Sequence, residues 1–223
     1  MALPPAKKQR RITYGETIAV YVGAEERPFI LHENVLIEHS KFFRAALVKG
    51  FKEGQEKSIH LIEIKTSAFE TYIQWMYSGQ IVTAENEGVE GSPAVSKRYL
   101  VLIDLYIIAD RLENSHLRNH TMTAIVDLLR TTNMNSGTEA ILVVYWETPE
   151  NSSIRRFLVD SYLVCKSQLM AEWFMKARHG LPADFVSDIT FGLFQAQLAE
   201  AICPTERPEC YSHSHDEETP ACG

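Results

Sequence analysis

The stretch RPFILHENVLIEHSKFFRAAL, residues 27–47, changes its period partway along, and that change decides the fold. Residues 27–32 are short, apolar and closed by His32. From Val35 the apolar positions Val35, Leu36, Phe42, Phe43, Ala46 and Leu47 recur at spacings of three and four. A strand running directly into a helical face is predicted. Pro28 falls at the start of that strand, where a missing N–H does no harm. Ser40 interrupts the helical pattern, and its hydroxyl can accept from a free backbone N–H to cap a new turn at Lys41. On the N-terminal side, residues 17–23 (TIAVYVG) are β-branched and end in glycine, so they read as the hairpin partner of 27–32.

On the C-terminal side, residues 58–64 (SIHLIEI) alternate and predict a third strand. A second helix is expected from Thr66, with Phe69, Tyr72, Ile73 and Met76 on one side, Thr66 or Ser67 as N-cap and Gly79 as its stop. Ile81 and Val82 suggest a very short strand, and residues 85–96, rich in glutamate and glycine, a surface loop. Residues 97–112 are apolar nearly all round, which places Leu102, Leu105 and Ile108 in a core. Residues 114–130 continue as an amphipathic helix bearing Leu117, Met122, Ile125, Val126 and Leu129. The polar run 131–137 (TTNMNSG) reads as a linker. Beyond it come helical patterns near 138–147, 152–178 and 182–202, broken by Pro149 and by Gly180 with Pro182. The fold class is therefore α+β: a small mixed sheet with a helical cluster over residues 17–132, then an all-helical extension over 138–202. Residues 1–16 and 203–223 read as disordered ends.

The 223 residues are 45% hydrophobic and 23% charged, an ordinary globular balance. A net charge of −7 argues against bulk capture of nucleic acid or an anionic membrane. No apolar run reaches the roughly 20 residues a bilayer requires, and no secretory signal is visible. The four cysteines are accordingly read as reduced thiols in cytosol or nucleus. Catalytic grammar is missing: there is no G-x-G-x-x-G, phosphate-binding loop, H-E-x-x-H or G-x-S-x-G. The chain is expected to be no enzyme, and to need no cofactor, metal or small-molecule substrate.

Three blocks carry a family resemblance. Phe29 and His32, followed by Val35, Leu36, Ser40 and Phe43, form the first. Phe69, Tyr72, Tyr77, Ser78 and Gly79 form the second, and Leu102, Leu105, Ala109, Asp110 and Leu117 the third. In this order they resemble the BTB/POZ domain, and the wording of the third block is most similar to fungal members. The resemblance implies a protein–protein interaction module whose partners are proteins. It also departs from the family's transcription factors, which carry a longer N-terminal helix that swaps between dimer partners; here about a dozen irregular residues precede the first strand.

The resemblance further implies a site. Phe51-Lys52-Glu53 falls where members that recruit the cullin scaffold of a ubiquitin ligase carry a hydrophobic-x-Glu triplet. An aromatic anchor beside a carboxylate is reasonable interface chemistry; a half-buried Phe51 closing a loop next to a solvated Glu53 is the plainer alternative. A cullin adaptor and a self-associating scaffold or transcription-associated protein both stay open. Lys7, Lys8, Arg10 and Arg11 read either as an import signal or as a solvated basic end. Cys203, Cys210, His213, His215 and Cys222 match no structural zinc spacing. His32 is read as a junction residue that bonds backbone, not as a ligand.

Overall fold

Ile18, Val20 and Val22 alternate with more exposed neighbours along β1 (Thr17–Val22), and their side chains are buried to 1% exposure or less. β1 pairs antiparallel with β2 (Arg27–His32), Val20 opposite Phe29 and Thr17 opposite His32. On its other edge β1 pairs parallel with β3 (Ser58–Leu61), which gives a mixed sheet of order β2-β1-β3. The computed structural model describes residues 15–47, 56–82, 92–164 and 168–196. They divide between Ile64 and Lys65 into two compact units.

In the first unit, β2 passes without a loop into α1 (Glu33–His39). Ser40 then stands in extended backbone, and its Oγ accepts from the Phe43 N–H at 3.1 Å to start α2 (Lys41–Ala46). This capping, read from one serine, is borne out. Val35, Leu36 and Phe43 are buried, as are the sheet residues Leu31, Ile59 and Leu61.

The second unit is helical: α3 (Thr66–Ser78), α4 (Ser92–Arg111), α5 (Ser115–Thr132), α6 (Thr138–Glu147), α7 (Ser153–Val164), α8 (Gln168–Ala177) and α9 (Ala183–Ala196). Gly79 ends α3 at φ +71°, a left-handed position that favours glycine, and its N–H reaches the Trp75 carbonyl at 2.7 Å. One core runs through five of these helices, with Tyr99, Ile103, Met122, Ile141, Phe157 and Phe185 among its members. Leu102, Leu105 and Ile108 are buried as expected, at 3%, 0% and 2% exposure. Gly192 lets α9 press against α7, since a Cβ there would lie 2.5 Å from Leu163 Cδ1.

Four expectations need correction. β3 stops at Leu61, and residues 62–64 turn away, leaving Ile62 exposed and Ile64 buried. The N-cap of α3 is Lys65, with no side-chain capping bond, in place of Thr66 or Ser67. Ile81 and Val82 form no strand; Ile81 packs against the helical core. The stretch expected to be loop as far as residue 96 is already helix from Ser92. Pro93 fits there because a first-turn residue needs no N–H partner within the helix. Ala94 and Val95 extend the buried face by one turn, at 9% and 7% exposure.

Candidate functional site

Phe51 and Glu53 lie outside the described residues, but the chain on either side of them is described. On entry, Leu47 is buried and its N–H bonds the Phe43 carbonyl at 3.0 Å. On exit, Lys57 adopts φ +52°, its carbonyl accepts from the Ala19 N–H at 3.1 Å, and its ammonium pairs with Glu16 and, at 2.7 Å, with Glu33. The bonds from Glu16 first and Glu33 second raise the Lys57 pKa. Being largely open to water, this pair of ion contacts orients more than it stabilises. Segment 48–55 thus lies between a buried leucine and a residue whose backbone is bonded to the sheet.

His32 is the N-cap residue of α1 and makes no side-chain capping bond. A histidine the sequence did not single out, His60 on β3, stacks on Tyr21 with ring centroids 4.8 Å apart, and its Nδ1 lies 2.7 Å from Glu26 Oε1. Both members of the His60–Glu26 pair are half-exposed. Among the described residues no group of three or more His, Cys, Asp or Glu side chains is placed to hold a metal ion. No described helix is long and apolar enough to cross a membrane. The tail residues Cys203, Cys210, His213, His215 and Cys222, and the basic residues Lys7, Lys8, Arg10 and Arg11, lie outside the described residues.

The second unit holds three features that sequence reasoning missed. Arg155 is buried at 7% exposure, stacks over the Tyr145 ring at 4.5 Å, and donates to the carbonyls of Tyr145 and Thr148. These oxygens stand at the C-terminal end of α6, where carbonyls lack helical partners and a cation is favoured. Tyr145 donates in turn to Asp188 Oδ2 at 2.6 Å, and burial followed by that bond pushes its pKa up. The adjacent arginines Arg155 and Arg156 look alike in sequence, so only packing separates the buried one from the exposed one. The second feature is the Trp75 indole N–H, which donates to His120 Nδ1 at 3.0 Å. The third is Trp146, left 74% exposed on α6.

The segment 131–137, expected to be a linker, is tied down by side chains. Tyr99 donates to the Met134 carbonyl at 2.8 Å, Tyr162 donates to the Ser136 carbonyl, and Ser136 is buried.

The sequence model of the BTB/POZ domain matches residues 13–125, just over half of the 223 residues. No curated protein matches the chain.

Proposed function

Because the chain belongs to the BTB/POZ domain family, whose domain is a protein–protein interaction module, we propose that it is an adaptor docking onto the cullin scaffold of a ubiquitin ligase. The observation that carries this reading is the triplet Phe51-Lys52-Glu53 in the sequence between α2 and β3, where cullin-recruiting members carry hydrophobic-x-Glu. Phe51 supplies the apolar area and Glu53 the orienting charge, in the cytosol or nucleus. The described residues on either side support the reading, since Leu47 and Lys57 are each held by a backbone hydrogen bond.

The test measures two quantities on one variant. Phe51→Ala weakens binding to purified cullin by about 2 kcal/mol or more, the scale of an interface anchor, and leaves the melting temperature nearly unchanged. A Phe51 that merely packs would lower the melting temperature by several degrees instead. Full cullin binding by a folded Phe51→Ala, Glu53→Ala double variant removes the site, and no binding by the wild type removes the adaptor reading.

A second reading, a scaffold acting through self-association, has one observation in its favour. The open face of the sheet carries Thr17, Ala19, Tyr21, Pro28, Ile30, His32, Ser58 and His60, with no Lys, Arg, Asp or Glu, and Ile30 is 66% exposed. The strand residues of this face present no like charges to a second copy, and Glu26 reaches it beside His60. Sedimentation of the purified chain, with and without cullin, separates the two readings.

A further inference from the structure

Helix α6 reads TEAILVVYWE, and its charges are two glutamates. Ala140, Ile141, Val144 and Tyr145 face the core. The opposite stripe, Glu139, Leu142, Val143 and Trp146, follows the spacing i, i+3, i+4, i+7. At these outer positions a surface helix ordinarily carries polar residues. Here Leu142 is half-buried, Val143 is half-buried with part of its side chain against the core, and Trp146 is 74% exposed. The rim is acidic along α6, with Glu139 and Glu147 on the helix and exposed Glu150 just after it; α9, with Asp184 and Asp188, meets α6 on its core side, through Tyr145. Glu147 pairs with Arg111, and Arg155 donates to the carbonyls at the end of α6.

We propose that this stripe is a docking face for a basic amphipathic helix of a partner protein. Charge selects among the occupants. A second copy brings the same acidic rim, and like charges facing each other oppose that pairing. The chain's own residues 204–223 bring Glu206, Glu209, Asp216, Glu217 and Glu218 against a single Arg207. Its N-terminal KKQRR, residues 7–11, has the right sign but no apolar residue among the five to seat beside Trp146. A helix with apolar side chains at i, i+3, i+4 and i+7, flanked by Lys or Arg, matches both the stripe and the rim, and uses a known mode of peptide recognition. Trp146 is the anchor, a residue type enriched among interface hot spots. This goes beyond the cullin reading and uses no cullin, so either can fail alone.

The probe is a synthetic peptide of about 14 residues, four helical turns, with leucines at the four anchor positions and lysines beside them. Its controls are the same peptide with Glu for every Lys, and a scramble of identical composition. Titrated into the full chain, the lysine peptide is expected to bind saturably, shift tryptophan emission to the blue, and weaken with salt. Trp146→Ala is expected to cost at least about tenfold in affinity with an unchanged melting temperature. Glu139→Lys with Glu150→Lys is expected to weaken binding in the same direction, which keeps the test decisive if Trp146→Ala misfolds. Equal binding of the scrambled or glutamate peptide, unchanged affinity in both variants, or no saturable binding overturns the proposal. So does a dimer that Trp146→Ala abolishes, which assigns the face to a second copy. Binding that appears only after residues 1–14 are deleted overturns it too, by assigning the face to the chain's own basic end.

Discussion

At the scale of single residues, His120 shows how one hydrogen bond fixes a protonation state. The Trp75 indole can only donate, so the His120 Nδ1 it reaches at 3.0 Å must accept, and the ring proton belongs on Nε2. Protonating the ring would set two donors against each other, and burial lowers the pKa of His120 besides. Unfolded, the ring titrates near about 6.5. As the pH falls through that value the unfolded chain takes up a proton that the folded chain refuses, so stability declines until the lower folded pKa is passed and then levels off. Urea midpoints followed from pH 8 to pH 5 are expected to fall more steeply in the wild type than in His120→Gln, which cannot titrate. Parallel curves would show that His120 contributes nothing to the pH dependence. Nothing in the sequence around residue 120 announces this pair, because its two members are 45 positions apart. Arg155 escaped for a different reason: a buried guanidinium at a helix end has no local signature, and the carbonyls it serves come from the preceding helix.

At the scale of elements, local chemistry explains most of what could be read in advance. The break between α1 and α2 follows from one serine, the end of α3 from one glycine, and the burial of α4 from apolar residues on all its sides. The errors share a cause, since each sits where packing outweighs a local cue. Glycine, serine and proline spelled loop up to residue 96, yet the start of α4 is set by Ala94 and Val95 reaching the core. Thr66 and Ser67 are good caps by type, but the cap of α3 falls one residue earlier, at Lys65, whose ammonium pairs with Asp104 on α4 at 2.7 Å. The core placement of α4 makes a direct prediction. Leu105 has no exposed surface, and Leu105→Ala is expected to destabilise by about 2–5 kcal/mol, the transfer free energy of the lost methyls plus the cavity left behind. Denaturant unfolding measures it; a change below about half a kcal/mol, the range of ordinary surface substitutions, would mean that α4 is not the packed centre of its unit.

At the scale of the whole molecule, the sequence makes the module legible and leaves its working surface half drawn. The three motif blocks are carried by residues whose packing roles are strong, Phe43, Phe69, Tyr72 and Leu105 all being buried without exposed surface, so they identify the fold. The docking residue proposed, Phe51, carries no packing signal, and an exposed Trp146 inside an apolar helix reads in sequence like one more core residue. Where the module ends is the remaining question. We propose residues 17–132 as the BTB/POZ domain and 138–202 as an extension packed onto it, and a fragment ending at Arg130 tests that division. Removing the chain beyond Arg130 deprives α4 and α5 of Ile141, Val144, Ile154, Phe157, Leu158 and Phe185, their partners in one core. It also deprives Tyr99 of the Met134 carbonyl. Tyr99, Ile103, Met122 and Ile125, all buried in the full chain, then lose that cover, and apolar patches of this kind drive association. The fragment is expected to keep its helical circular dichroism and a cooperative transition, while binding a hydrophobic dye and self-associating at concentrations where the full chain does not. Were it to lack any cooperative transition, the helices beyond residue 130 would belong to the folding unit itself, and the family's domain would be incomplete here without them.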